Sequence, residues 1–263
     1  MRLRVLLDNP REAWVPINQQ EPLTAAVYGL LAASDQGYAA FLHDEGYRVD
    51  GGPKTFKLFT FSGLRVPRHR RRLDGAAGRL WLGPGCVEWQ VSSPVEAFLT
   101  HCATGLLASG ALRVAGATFP VAEVNALPAP AFAETTRFTC LSPLVAGRPL
   151  PDGGTHYLRP AEGEAFSAAV RANLLRKHRL LHGRAPAEDR WAMAFDPGYL
   201  SRDGRGGTKL VTFKGIDVVG AFCPFSVTGS PELMRVMWDC GAGEKCSTGF
   251  GMVEVSESRQ DVV

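Results

Sequence analysis

Residues 128–133 (PAPAFA) interrupt every periodicity in the chain, and the same succession of elements is readable on either side of them. Upstream, residues 2–8 (RLRVLLD) alternate as a strand that Pro10 ends. Residues 22–34 (PLTAAVYGLLAAS) put Leu23, Val27, Leu30 and Leu31 on one helical face with Pro22 in the first turn, and residues 37–43 add a shorter helical piece. Residues 57–62 (KLFTFS) carry the β-branched and aromatic content of a strand. A strand over 79–90, a helix over 94–109 and one or two strands over 111–127 follow. Downstream, the pattern predicts a strand over 135–141, a long helix over 162–181 and strands over 190–195, 209–214 and 217–227. A short helix over 231–238, opening on Pro231, and a last strand over 249–255 complete it.

Strand, helix, strand, strand, helix, strand is the βαββαβ ferredoxin-like order. The expected fold is therefore α+β, two tandem ferredoxin-like (RNA-recognition-motif-like) domains over 1–127 and 134–263 with 128–133 as linker. The repeat is one of architecture, since the halves share no visible sequence self-similarity. Such a sheet presents one open face, on which the RNA-recognition domains of this architecture stack bases, and two in tandem leave a groove between them.

Composition narrows the function classes. With 45 % hydrophobic and 21 % charged residues in 263, the chain reads as soluble and globular. No apolar run reaches the ~18 residues that span a bilayer, and the apolar stretch in MRLRVLLDNPREAW is too short for a signal peptide. A cytoplasmic protein without membrane contact is expected. Six cysteines, Cys86, Cys102, Cys140, Cys223, Cys240 and Cys246, form no C-x-x-C pair and match no zinc spacing. Buried reduced thiols, no metal and no cofactor are expected.

The net charge of +3 is mild, but its distribution is not. Residues 65–72 (RVPRHRRR) hold Arg65, Arg68, Arg70, Arg71 and Arg72, and residues 171–184 (RANLLRKHRLLHGR) hold Arg171, Arg176, Lys177 and Arg179, both without an acid. Arginine suits bidentate phosphate contacts, and two acid-free clusters, one in each half, match the footprint of a nucleic-acid binder. His69, His178 and His182 lie in these clusters and read as phosphate contacts. A third feature is the run 241–251 (GAGEKCSTGFG), with Gly241, Gly243, Gly249, Gly251 and Lys245. Glycine admits positive φ and close backbone approach, and successive amides can form an anion-binding nest; the same run also fits a plain helix-to-strand connection.

His43 follows the first helical region and precedes a glycine-containing turn, a setting that can bring a proton carrier to a cleft. Lys57 and Lys54 stand at and just before the KLFTFS segment, where an ammonium could neutralise a phosphate oxygen. Each also fits an ordinary role: a solvated histidine, a surface lysine, and for Tyr28 on the first helix a core tyrosine.

Three segments together resemble the CRISPR-associated endoribonucleases that cut repeat RNA, the sixth family of Cas proteins in the repeat-associated mysterious protein superfamily. They are LTAAVYGLLAAS leading to AAFLHDEGY, then GGPKTFKLFTFS, then GAGEKCSTGFGMVEV. The resemblance implies that His43 is the catalytic histidine, Tyr28, fifteen positions earlier, the catalytic tyrosine, and Lys57 the catalytic lysine, with Lys54 the competing assignment. It implies RNA contacts by the two basic clusters and the glycine-rich run, CRISPR repeat RNA as partner, and association with effector-complex subunits or a second copy as a homodimer. The implied chemistry is metal-independent attack by an RNA 2′-hydroxyl on the adjacent phosphate. A guide-RNA-holding subunit without catalysis, or a small-molecule enzyme on the same fold, are the competing readings.

Overall fold

The computed structural model describes residues 1–48 and 55–256; Lys54 lies outside the described residues. Both halves are α+β with antiparallel sheets. The first strand, Arg2–Asn9, is central: it pairs with Gly85–Ser92 on one side and with Ala117–Leu127 on the other, with a register shift between Leu6 and Leu7. Thr60–Phe61 and Ala111–Val114 close the edges of this five-stranded sheet. Strand alternation sends Leu3, Val5 and Leu7 inward, where helices Gln20–Ser34 and Glu96–Ser109 cover them. These two helices touch at Gly105, where a Cβ would lie 2.1 Å from the Leu30 carbonyl oxygen, so only glycine permits the approach.

The second sheet orders Trp191–Phe195, Phe225–Gly229, Thr135–Cys140 and Val253–Val255. Helices Gly163–His182 and Pro231–Cys240 bury Phe166, Val170, Leu174, Leu233 and Met237 in its core. Ser230 caps the latter helix by accepting from the Leu233 amide, and Pro231 stands in its first turn. A separate hairpin, Thr208–Phe213 with Ile216–Ala221, turns at Lys214 and Gly215.

Four expected strands are shorter or split, that over 79–90 dividing at Gly83 and Pro84 into Arg79–Leu82 and Gly85–Ser92, which belong to different sheets. The expected strand over 217–227 divides into Ile216–Ala221 and Phe225–Gly229, with Pro224 in the gap. Of 249–255 only Val253–Val255 is strand, because Gly249 and Gly251 take φ of 81° and 78°. The expected strand over 57–62 survives only as Thr60–Phe61, since Leu58 sits at φ 51°. The kinked segment contributes to both cores. Phe56 (7 % exposed) and Leu58 (5 %) are buried in the second core, Phe59 (0 %) and Phe61 (1 %) in the first. Strand alternation already puts Phe56 and Leu58 on one face and Phe59 and Phe61 on the other, so the segment is held between the two cores. Burial of each such side chain contributes about 1.5–3 kcal/mol, enough together to hold a leucine in the left-handed region at about 1–2 kcal/mol.

The halves are joined elsewhere by polar contacts. Arg2, fully buried, donates to the carbonyls of Trp238 and Val253, both at 2.9 Å, and lies 3.5 Å from the Trp238 ring centroid. The Met1 ammonium meets Asp239 at 2.7 Å, and Thr60 donates to the Phe250 carbonyl at 2.8 Å. No helix among the described residues is long and apolar enough to cross a membrane. Cys86 is exposed, unlike the buried thiols expected, because it lies near the start of a strand whose outer residues face solvent.

Candidate active site

Helices Gln20–Ser34 and Gln36–Asp44 are separated by one extended residue, Asp35, whose carboxylate accepts from the Tyr38 amide and starts the second helix. The chain doubles back there, and the rings of Tyr28 and His43 meet edge to face with centroids 5.3 Å apart. The kink at Leu58 carries Lys57 to the same place. Its ammonium donates to the Tyr28 hydroxyl at 3.1 Å and to the His43 carbonyl at 2.7 Å. An ammonium has three donors; two are used here, and among the described residues the third has no partner.

His43 projects into solvent, its side chain 64 % exposed, and its Nδ1 lies 2.7 Å from Asp44 Oδ1. An ionised carboxylate only accepts, so Nδ1 carries the proton in this pair and Nε2 presents the lone pair outward in the neutral ring. Burial pushes the Tyr28 hydroxyl up to about 12, with the Asp44 charge adding to it, so tyrosine stays protonated near neutrality. Burial moves Lys57 down from the usual lysine value; Asp44 opposes that shift and the charge of Lys214 adds to it. Lys214 is a neighbour that sequence reasoning missed. The Lys214 amide donates to Glu21 at 3.1 Å, docking the hairpin tip on the start of the tyrosine-bearing helix.

The glycine-rich run is not an open anion nest. Six of its amides donate inside the protein: Gly241 to Met237, Ala242 to Gly251, Glu244 to Val145, Thr248 to Lys245, Gly249 to Cys246 and Gly251 to Pro143. Gly241 and Gly243 take φ of 83° and 77°, and a Cβ on Gly243 would stand 2.2 Å from the Val145 carbonyl oxygen. A Cβ on Gly249 would meet the Phe61 ring at 2.5 Å. Lys245, also left-handed at φ 56°, is exposed at the tip.

Lys177 is a correction. It is 4 % exposed, and its ammonium donates to the carbonyls of Gly241 at 2.8 Å and Gly243 at 3.1 Å, holding the run from beneath rather than offering charge to a phosphate. His178 is likewise buried, between the Arg184 carbonyl and Glu232, and not a surface phosphate contact. Arg171 pairs with Asp189, whereas Arg176 and Arg179 are exposed without an ion pair among the described residues.

In the first cluster the arginines diverge. Arg65 pairs with Glu88 at 3.0 Å and with Glu254 at 3.5 Å. Arg70 donates to the carbonyls of Pro84 and Cys86, fastening its own loop. Arg72 lies over the rings of Trp14 and Trp81 at 5.9 and 5.4 Å. Arg68 and Arg71 line a cleft of about 880 Å³ between the halves, together with Lys209 and Phe222. A smaller cavity of about 300 Å³ adjoins Lys57 itself, between the kinked segment and the glycine-rich run. No group of three His, Cys, Asp or Glu side chains among the described residues could hold a metal ion.

Residues 14–125 match the family described as CRISPR-associated protein Cas6, N-terminal, and residues 127–255 match CRISPR associated protein Cas6, C-terminal. The chain belongs to the Cas6 family. Among curated relatives, CRISPR-associated endoribonuclease Cas6 1 of Methanocaldococcus jannaschii is 27 % identical over 258 residues, covering 96 % of this chain and 92 % of the relative. CRISPR-associated endoribonuclease Cas6 of Pyrococcus furiosus is 27 % identical over 252 residues, covering 96 % and 88 %. A solved structure described as CRISPR associated protein Cas6 superposes with a TM-score of 0.76 at 26 % identity over 98 % of this chain and 99 % of that one. The two Cas6 matches span Tyr28, His43 and Lys57 and the glycine-rich run alike, so membership in the family rests on both halves of the chain.

Proposed function

We propose that this Cas6-family chain is a metal-independent endoribonuclease that cuts CRISPR repeat RNA in precursor transcripts in the cytoplasm, releasing guide RNAs. Two ferredoxin-like units, 1–127 and 134–263, would form the platform. The reading takes its activity class from the Cas6 endoribonucleases that the chain resembles along nearly its whole length. The observation that carries it to particular atoms is the single Lys57 ammonium that bonds both the Tyr28 hydroxyl and the His43 backbone.

In this scheme the ribose 2′-oxygen attacks its own 3′-phosphorus, the P–O5′ bond breaks, and a 2′,3′-cyclic phosphate and a 5′-hydroxyl result. The nucleophile belongs to the substrate, so neither a metal nor a water molecule enters the bond-breaking step. The outward Nε2 of His43 takes the 2′-hydroxyl proton as general base, with Asp44 holding the tautomer. Tyr28, protonated throughout the neutral range, donates a hydrogen bond, the third Lys57 donor meets the charge that develops on the phosphate, and the departing O5′ takes its proton from solvent once the P–O5′ bond has broken.

The test is incubation of synthetic repeat RNAs with the protein in EDTA, with the cut position and end groups mapped. His43→Ala is expected to lower single-turnover cleavage by about 10²–10⁴-fold while repeat-RNA affinity stays near wild type. Retained cleavage removes His43 from the mechanism. Complete cleavage of an RNA with 2′-deoxyribose at the cut site overturns the transesterification scheme. Tight binding with no cleavage of any repeat leaves the guide-RNA-holding subunit as the reading.

A further inference from the structure

The cavity of about 300 Å³ beside Lys57 has walls of two kinds. Phe56 and Leu58, both buried in the second core, supply an apolar side; Gly243 and Lys245 of the glycine-rich run supply the other. Helix Gly163–His182 contributes Asn173 and, one turn later, Lys177. Asn173 is only 3 % exposed, yet its Oδ1 is buried without a hydrogen-bond partner. Buried amide groups nearly always find partners, and an orphaned one on a residue that lines a cavity marks a place where a ligand could complete the set.

We propose that this cavity is a subsite for one RNA base, that of a nucleotide flanking the scissile phosphate, and that the Asn173 carboxamide reads its edge. The charges decide between base and phosphate. Lys177 could have drawn a phosphate inward, but its ammonium is committed to the carbonyls of Gly241 and Gly243. What remains unpartnered at depth is the neutral carboxamide oxygen of Asn173, an acceptor that suits an N–H donor on the edge of a base. The apolar walls suit the face of an unstacked ring, and single-stranded RNA is recognised by splaying such bases out. Lys57 and Lys245 stand on the cavity's lining, where the adjoining phosphates would lie. Because Lys57 also touches Tyr28 and His43, a base seated here belongs next to the bond being cut. This assignment of position rests on the cleavage reading above.

The test is a thermodynamic cycle on binding, independent of cutting. Repeat RNA with 2′-deoxyribose at the cut site is made with its bases intact, or with an abasic site at each flanking nucleotide in turn, and Kd is measured for the wild type and for Asn173→Ala. Loss of one particular base is expected to weaken wild-type binding about tenfold or more, the scale of a single well-seated base. Asn173→Ala should bind the intact RNA more weakly and should lose much less on removal of that same base. Asn173→Ser, smaller but still polar, serves if the alanine variant unfolds. The proposal is overturned if no flanking base matters to the wild type, or if the base and side-chain effects simply add. All-ribose RNA run in parallel reports cleavage separately, so failure to cut and failure of the base subsite give different results.

Discussion

Replacing Gly243 by alanine isolates what the glycine-rich run does. Two penalties are expected. Placing an L-residue at φ 77° costs about 1–2 kcal/mol, and a Cβ 2.2 Å from the Val145 carbonyl oxygen forces backbone against backbone, an overpacking cost of about 1–3 kcal/mol. The obstacle is a peptide oxygen, which cannot swing aside as a side-chain tip can. Gly116→Ala is the matched control: its φ is 86°, but nothing lies within 4 Å of the added Cβ. The control should lose only the conformational part. Urea unfolding at unchanged m-value should therefore place Gly243→Ala below Gly116→Ala by about 1–3 kcal/mol. If the two variants agree within about 0.5 kcal/mol, the close packing of the run on Val145 is not what holds it, and the argument fails.

Further outcomes follow from other groups. Lys177→Met strips the Gly241 and Gly243 carbonyls of their shared donor and should destabilise by about 1–3 kcal/mol in the same urea assay, whereas exposed Arg179→Ala should stay within about 0.5 kcal/mol. Arg179→Ala should instead flatten the slope of log affinity against log salt by about 0.7 if that side chain meets a phosphate of single-stranded RNA. Because burial lowers the Lys57 pKa, the alkaline fall in cleavage should begin below the ordinary lysine value of 10.5, and Lys57→Arg should move that limb upward. The linked stability change has the opposite sense to a salt bridge: the unfolded chain holds the Lys57 proton longer, so this group's contribution is full above 10.5 and is lost as pH falls through the folded value. A cleavage limb unmoved by Lys57→Arg would separate Lys57 from the reaction.

Some errors of the sequence reading had a readable signal. Lys177 belongs to the series Phe166, Val170, Asn173, Leu174, Lys177, spaced as the buried face of a helix, so its burial was visible in the 3.6-residue period. The density of neighbouring charges hid it. The divergence of Arg65, Arg70 and Arg72 had no such signal, because their partners Glu254, the Pro84 carbonyl and Trp14 are brought near only by pairing of distant segments. Lys214 was equally hidden: it joins the field of Lys57 through a hairpin that docks on Glu21, nearly two hundred positions away along the chain.

Local periodicity and turn chemistry determined the helices, most of the strands and the order in which they succeed one another, since those depend on neighbours within a few residues. Resemblance in three short segments singled out Tyr28, His43 and Lys57, which the fold then brought within hydrogen-bond and ring-contact distance of one another. Only the tertiary structure decided how Lys57 gets there. The left-handed turn at Leu58 lies in a segment clamped between two cores, Phe56 and Leu58 in one and Phe59 and Phe61 in the other, and no local preference of leucine would select it. The same packing opened the cavity beside Lys57 and left the Asn173 amide in it without a partner, a property of facing surfaces that adjacent residues do not encode.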